Sequence, residues 1–363
     1  MRTSIESILD AAVEGPGRAG IESQLAGRAD EVLPALAARL RADVAIDVLE
    51  RYEEILKAVL RQRLTSPSDG AAIRALAGFQ RDLGFLLKYK SYAIKASSPL
   101  GYSVFLQNPG EGFSFQRHIT HKTEIFYILD VLPGAYVYIC EFDEWQRMYR
   151  RHSFLAWLAG EPHAQYERFR YRPHPGDVIV MDRLNVVHTV VGCVLAEFAT
   201  VSTDMVDRLH DQNEGKTVPP HFCRRYAEAN IKAISWPSSS HRVDILAAGH
   251  SRTPVPSHEV TGGSRTTFGD RVVTAAFTRI EAGKDSAIGT DPERAACLHI
   301  VEGSGQLILG DAAEVRRASP PTMPAEKGDL FLVPPGAHYG FVNDGRVSSI
   351  VAEHRIPVSV AFI

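Results

Sequence analysis

The chain has 363 residues and a formal charge of −3, from 40 Lys and Arg against 43 Asp and Glu. Hydrophobic residues make up 45% and charged residues 23%, which is typical of a soluble globular protein of two or three domains. The near-neutral balance argues against nucleic-acid binding, which favours a basic surface. No apolar run of about 18 residues occurs, which excludes a membrane span. The N-terminus lacks the pattern of a signal peptide, so we expect a cytoplasmic protein.

Residues 1–95 are predicted to be a helical N-terminal region. Apolar residues recur there at spacings of three and four, as on one face of a helix, with Glu and Arg between them. The stripe includes Val48, Tyr52, Ile55, Leu56, Val59 and Leu60. A Ser-Pro-Ser-Asp-Gly break at 66–70 separates it from a second stripe. These stripes favour core packing, and the sequence does not say whether they pack on the rest of the chain or form a dimer.

The rest of the chain is predicted to be mainly β. Short runs rich in Val, Ile, Tyr and Phe alternate with Pro, Gly, Asn and Asp, as in an antiparallel sandwich or barrel. We divide it into a first β domain at 96–235 with a helical insert, a linker at 236–265 and a second β domain at 266–363. Each domain carries a Gly-Asp turn before an apolar run, at 175–182 and 327–334, which suggests a weak internal duplication.

One stretch before an apolar strand concentrates groups able to bind a metal. Gln116 and His118 share a face if their segment is extended, because side chains alternate along a strand. Glu124 follows after a short turn, and a carboxylate among apolar residues is costly unless it is paired or metal-bound. His188, after the first Gly-Asp turn, is the candidate for a further ligand. The cluster therefore predicts a divalent metal site.

Mixed nitrogen and oxygen ligands suit Zn, Mn, Fe or Co and do not discriminate among them. An exposed polar hairpin, with His121 and Lys122 as solvated loop residues, is the alternative interpretation of the cluster. Whether His121 is a ligand stays open, because its parity points it away from His118 unless the turn reorients it.

The order Gln-x-His, then Lys-Thr-Glu before an aromatic strand, then Pro-Gly-Asp and a later His, resembles the cupin superfamily. More closely, it resembles the bacterial type I mannose-6-phosphate isomerases, over roughly residues 98–363. The resemblance implies two cupin barrels, each a double-stranded β-helix or jelly roll, and one bound zinc. Its ligands would be Gln116, His118, Glu124 and His188.

The same resemblance implies three catalytic residues. Lys122 lies two residues before the ligand Glu, and Asp204 precedes Arg208 by four residues in the segment 195–211. Arg208 would neutralise developing or phosphate charge, Lys122 would hydrogen-bond a substrate oxygen or move a proton, and Asp204 would orient Arg208 or act as a base.

The second cupin is predicted to be metal-free. Ala295, Ala296 and Cys297 stand where a ligand Glu is expected, and no His pair precedes them. His338 follows a Pro-Pro-Gly turn alone, and His299 lies within an apolar strand. We interpret both histidines as structural.

The leading functional hypothesis is a metal-dependent isomerase of a sugar or sugar phosphate, acting through an enediolate. The first alternative is an Fe(II)-dependent oxygenase or a lyase on a small polar metabolite, since two His and one carboxylate also suit non-haem iron. The second alternative is a non-catalytic, sugar-sensing protein. All three imply a small-molecule ligand, with no nucleic acid and no membrane, and a monomer or homodimer.

Overall fold

The computed structural model describes most of the chain, and the statements below concern these residues only. They are 4–14, 25, 28–40, 46–65, 69–83, 86–90, 93–97, 100–110, 112–113, 115–118, 123–153, 156, 163–181, 186–200, 206–208, 231–235, 253–269 and 272–361. Within this part of the chain, no helix is long and apolar enough to span a membrane.

The described residues of the N-terminal region contain four helices: α1 (Ile5–Glu14), α2 (Ala29–Leu40), α3 (Ile46–Thr65) and α4 (Gly70–Leu83). They bury the apolar stripes that the sequence predicts, including Leu56, Val59 and Leu60 of α3. The predicted helical region extends too far, because residues 86–90 and 93–97 are strands. Their Tyr and Ile residues alternate with Lys, a period of two that suits a strand and not a helix.

Eleven strands form one sheet system in the middle of the chain. They are β1 (Leu86–Lys90), β2 (Ala93–Ser97), β3 (Tyr102–Gln107), β4 (Gln116–His118), β5 (Glu124–Glu141), β6 (Arg170–Tyr171), β7 (Asp177–Met181), β8 (Val186–Ala199), β9 (Val206–Arg208), β10 (Ile231–Ser235) and β11 (Thr253–Pro256). The predicted helical insert is present between β5 and β6, as α5 (Phe142–Arg151) and α6 (Ala164–Glu167).

The long strands β5 and β8 each serve two sheets. The first half of β5 pairs with the second half of β8, from Glu124 opposite Ala199 to Val131 opposite Cys193. The second half of β5 pairs with the first half of β8, from Tyr136 opposite Val191 to Glu141 opposite Val186. Gly134 and Gly192, both at positive φ, lie where the register shifts. One sheet thus has the order β3-β8-β5-β7, and the other has β4-β8-β5-β6.

The C-terminal part has the same topology with separate strands. Its strands are β12 (His258–Val260), β13 (Gly263–Gly269), β14 (Thr274–Ile280), β15 (Gly289–Thr290), β16 (Arg294–Glu302), β17 (Ser304–Gly310), β18 (Thr322–Glu326), β19 (Leu330–Val333), β20 (His338–Val342) and β21 (Ser349–Pro357), followed by α7 (Val358–Ala361). Its two sheets contain the orders β14-β21-β16-β19 and β15-β20-β17-β18.

Both orders are those of a jelly roll, a sandwich of eight strands. Counting strands along the chain, one sheet takes the first, eighth, third and sixth strands, and the other takes the second, seventh, fourth and fifth. The predicted fold class, mainly β with two jelly-roll barrels and an N-terminal helical region, is confirmed. We call the two barrels the first and the second sandwich.

The same hydrogen-bonded turn occurs once in each sandwich. In the first, Gly176 donates its N–H to the Ile128 carbonyl at 2.7 Å, and the Asp177 carboxylate accepts from the His174 N–H at 2.7 Å. In the second, Gly328 donates to Ile300 at 2.8 Å, and Asp329 accepts from Glu326 at 2.9 Å. The turn therefore aligns the two sandwiches residue by residue, as the predicted duplication requires.

The chain divides into two compact units. One joins residues 1–86 to residues 277–362 and a short segment at 260–263, and the other contains mainly residues 87–259. The N-terminal helices therefore pack with the second sandwich. Ile73 and Ala77 of α4 belong to its hydrophobic core together with Leu298, Phe331 and others, and Arg74 forms an ion pair with Glu314 at 2.6 Å.

The proposed linker at 236–265 is only partly described. Residues 236–252 lie outside the described residues, whereas β11 to β13 occupy the rest as strands, so that part of the linker prediction is wrong. Thr and Val between the Pro and Gly residues there give enough β propensity for short strands.

Candidate metal centre

Three strand positions bring the predicted ligands together. His118 ends β4, Glu124 begins β5, and His188 lies near the start of β8. Gln116 of β4 is directly opposite His188, and Glu124 is opposite Ala199 on the other half of β8. The double use of β5 and β8 therefore places residues from three parts of the chain at one end of the first sandwich.

The side chains of this triad converge on one carboxylate oxygen. His118 Nε2 lies 3.0 Å from Glu124 Oε2, and His188 Nε2 lies 3.4 Å from the same atom. One ligand atom from each side chain falls within 4.8 Å of the others. The residues are 6%, 2% and 1% exposed for His118, Glu124 and His188, respectively. Among the described residues, this is the one group of three His, Cys, Asp or Glu that could hold a metal ion.

His188 is held as a neutral imidazole with a defined tautomer. Burial lowers its pKa, against the opposing effect of Glu124. Its Nδ1 lies 3.3 Å from the Val186 carbonyl, which can only accept, so Nδ1 carries the proton. Nε2 then presents a lone pair to the Glu124 carboxylate. Two electron-rich atoms facing each other in a buried site repel unless a cation lies between them.

The triad fits a single divalent metal ion. Ligand atoms bound at about 2.0–2.2 Å to one ion are about 3.0–3.5 Å apart when they subtend roughly 90–110°. Both distances to Glu124 Oε2, 3.0 and 3.4 Å, fall in this range. The Nδ1–H of His188 bonded to a carbonyl is the outer-shell contact that orients metal-binding imidazoles. Three protein ligands leave positions open for a substrate.

Gln116 borders the triad. Its side-chain amide nitrogen lies 3.4 Å from His188 Nε2, so the amide reaches the edge of the site. Its predicted role as a fourth ligand stays a prediction.

The predicted catalytic residues are described only in part. Arg208 lies in β9, where its backbone is directly opposite Gln116, so β9 brings it to the strand beside the triad. Lys122 and Asp204 lie outside the described residues, as does His121. Their predicted roles stay predictions.

Sequence analysis missed a second buried carboxylate on the inner face. Glu197 of β8 is 5% exposed and is directly opposite Phe126. Opposite residues of an antiparallel pair share a face, and Phe126 belongs to the core of the first sandwich. Glu197 therefore faces the interior, one step along the ladder from Glu124. The signal was available, because Leu195, Glu197 and Ala199 share a parity in an otherwise apolar strand.

Several of the described residues beside the triad are apolar. Phe126 lies 6.4 Å from the His188 ring, centroid to centroid, and Met181 is opposite Glu124 across the β5–β7 ladder. The core of the first sandwich also contains Phe105, Phe113, Ile128, Val137, Ile139, Ile179, Val186 and Val190. Apolar walls exclude water and strengthen electrostatic interactions at a bound ion.

Comparisons with known proteins found similarity to solved structures, without a match to a family model or a curated protein. No family model matches the chain, and no curated protein matches it. A structure of Lactobacillus farciminis oxalate decarboxylase in a formate complex has a TM-score of 0.44 at 12% identity, covering 75% of this chain and 84% of that one. Bacillus subtilis oxalate decarboxylase at pH 4.6 has a TM-score of 0.43 at 14% identity, covering 75% and 74%. The resemblance to mannose-6-phosphate isomerases finds no support in these comparisons.

Proposed function

We propose that this chain is a cupin-type enzyme that uses one divalent metal ion, held by His118, Glu124 and His188, to act on a small oxygen-bearing metabolite. The observation that carries the proposal is the convergence of two buried imidazoles on one buried carboxylate oxygen. A bound ion would act as a Lewis acid on a substrate oxygen.

Residues of the chain itself would orient the ligands, exclude water and move protons. The backbone carbonyl of Val186 keeps the proton of His188 on Nδ1, so that Nε2 stays available. Phe126 and Met181 line the interior next to the triad and exclude water. Glu197, the second inward carboxylate, is the candidate to hold or move a proton, because it is buried close to the triad.

Among the predicted reaction classes, we favour the Fe(II)-dependent oxygenase or the lyase over the sugar isomerase. Two imidazoles and one carboxylate with open positions form the ligand set of non-haem Fe(II) centres.

Metal binding is the first test. Protein stripped by chelation is titrated anaerobically with Fe(II), Mn(II), Co(II) and Zn(II), and the bound metal is counted by elemental analysis. We expect one ion per chain, and an affinity at least 100-fold lower for His118→Ala and Glu124→Gln. His299→Ala is the control, since it removes an equally buried imidazole from the second sandwich. Wild-type affinity in both triad variants would show that the centre is wrongly assigned.

The reaction class is tested on the Fe(II) protein. Nitric oxide is added as a probe of open positions, and the spin-3/2 signal is recorded by electron paramagnetic resonance. Oxalate, a 2-oxo acid and mannose 6-phosphate are then added in turn, followed by product analysis with and without dioxygen. A shifted signal and turnover with a small carboxylate would support our choice. Anaerobic isomerisation of mannose 6-phosphate by the zinc protein would reverse it.

A further inference from the structure

The second sandwich can be aligned with the metal centre of the first by strand register. The Gly-Asp turns make Val333 equivalent to Met181. Because Ala296 is opposite Val333 and Glu124 is opposite Met181, Ala296 takes the place of Glu124. The turns also make Met323 equivalent to Tyr171, so that Leu307, opposite Met323, corresponds to Val137, opposite Tyr171. Leu309 and Ile139 come two residues later, and the residues opposite them, Tyr339 and His188, are therefore equivalent.

The first imidazole position is also occupied by another residue. Gly289 is opposite Tyr339, as Gln116 is opposite His188. Asp291 follows Gly289 by two residues, as His118 follows Gln116. All four ligand positions therefore hold a different residue type in the second sandwich: Gly289 in place of Gln116, Asp291 in place of His118, Ala296 in place of Glu124 and Tyr339 in place of His188.

A positively charged side chain of the protein itself lies at the corresponding place in the second sandwich. Ala296 is directly opposite Arg355, whereas in the first sandwich Glu124 is opposite Ala199. In the first sandwich the charged residue is Glu124 on β5 and the small residue is on β8. In the second, the small residue Ala296 is on β16, and the charged residue is the positive Arg355 on β21. The Arg355 side chain is 18% exposed, which leaves its guanidinium largely inside the barrel.

Acidic groups surround this guanidinium. Arg355 forms an ion pair with Glu353, and its Nη1 lies 3.6 Å from Asp291 Oδ2, which also accepts from Arg294 Nε at 2.8 Å. The Tyr339 hydroxyl donates to Glu353 Oε1 at 2.9 Å. Burial opposes the charge of Arg355, but the carboxylates outweigh burial and raise its pKa above the ordinary value. Such buried carboxylates are costly without a partner cation.

We propose that Arg355 is a built-in replacement for the metal ion of the first sandwich. Its guanidinium, with Arg294 beside Asp291, neutralises Asp291 and Glu353 at the place where the proposed ion of the first sandwich would lie, which makes the second sandwich independent of metal. The comparison with a metal ion rests on the proposed function, whereas the ion pairs of Arg355 belong to the second sandwich alone, whatever reaction the triad performs.

The test removes the Arg355 guanidinium by substitution and then adds a divalent metal ion. Hydrogen exchange of the whole protein is followed by mass spectrometry in peptides covering 294–302 and 349–357. In the wild type, we expect chelation to leave protection of these peptides unchanged. In Arg355→Met, we expect protection to fall at least tenfold in chelator and to recover with millimolar Ca²⁺ or Mn²⁺, because the ion can then take the place of the guanidinium beside Glu353 and Asp291, while Asp291 keeps its contact with Arg294.

Two further variants keep the inference open to refutation. Arg74→Met removes a guanidinium from a carboxylate, Glu314, elsewhere in the same unit, and we expect no recovery with Ca²⁺. Arg355→Lys retains a positive charge, and we expect its peptides to stay protected in chelator even if Arg355→Met does not fold. Loss of protection in the wild type on chelation, or failure of Arg355→Lys to protect these peptides, would overturn the proposal. So would full protection of Arg355→Met in chelator.

Discussion

Asp177, in the Gly-Asp turn of the first sandwich, makes stability depend on pH. Its carboxyl group is 2% exposed and accepts hydrogen bonds from the His174 N–H at 2.7 Å and the Tyr171 hydroxyl at 3.1 Å. Burial raises the pKa of Asp177 from 3.8 to about 8, against the opposing effect of the Tyr171 hydrogen bond. The folded chain therefore keeps a proton that the unfolded chain releases.

The sign and size of the effect follow from this difference. Below the unfolded pKa of 3.8 both states are protonated, and the contribution of Asp177 to stability is fully present. As the pH rises towards about 8, the unfolded state binds fewer protons than the folded state, so stability falls by up to ~1.4 kcal/mol per pH unit. Above the folded pKa both states are ionised and the loss stops.

The perturbation is Asp177→Asn, which keeps an acceptor oxygen and cannot ionise. From pH 5 to pH 7, we expect the free energy of unfolding of the wild type to fall by ~2.7 kcal/mol relative to the variant. Chemical denaturation is followed by tryptophan fluorescence. All three tryptophans, Trp145, Trp157 and Trp236, lie within 87–259, so the signal reports on the unit of the first sandwich.

The control is Asp329→Asn, which changes the equivalent turn of the second sandwich at a half-buried position. We expect it to leave the pH dependence of the tryptophan signal unchanged. A difference between wild type and Asp177→Asn that stays constant from pH 5 to pH 7 would refute the reasoning, because it would show that Asp177 ionises alike in both states.

Three further outcomes are expected. Ile73→Ala removes a side chain of α4 that is 2% exposed in the core of the second sandwich. Calorimetry should show a loss of ~2–4 kcal/mol there, and an unchanged transition would mean that α4 does not complete that core. Gly176→Ala should lower the stability of the first sandwich by ~1–2 kcal/mol, because the φ of +89° at Gly176 disfavours a residue with a Cβ. No atom lies within 4 Å of that Cβ, so the loss would come from the backbone alone. The control is Gly289→Ala, at an equally open position without positive φ. Glu197→Gln should keep metal affinity within about threefold and lower turnover at least 100-fold once a substrate is known, whereas full turnover would exclude a proton-transfer role.

Several features could be predicted from the sequence because they depend on neighbouring residues. The period of two in the β-rich runs and the period of three to four near the N-terminus indicate which residues face a core. The spacing of Gln116, His118 and Glu124 indicates a shared inner face, and His188 follows from the Gly-Asp turn. The prediction that the second sandwich binds no metal rests on Ala296 at the place of a ligand.

Other features depend on strands that meet only in the folded chain. The convergence of both imidazoles on Glu124 Oε2 requires β5 and β8 to run through both sheets. The position of Arg208 opposite Gln116 requires β9 to pair with β4. The inward direction of Glu197 and the position of Arg355 opposite Ala296 become visible only through cross-strand register. The sequence by itself determines which residues alternate and which carry charge, whereas the tertiary structure decides which charges share one place, because antiparallel pairing joins residues far apart in the chain.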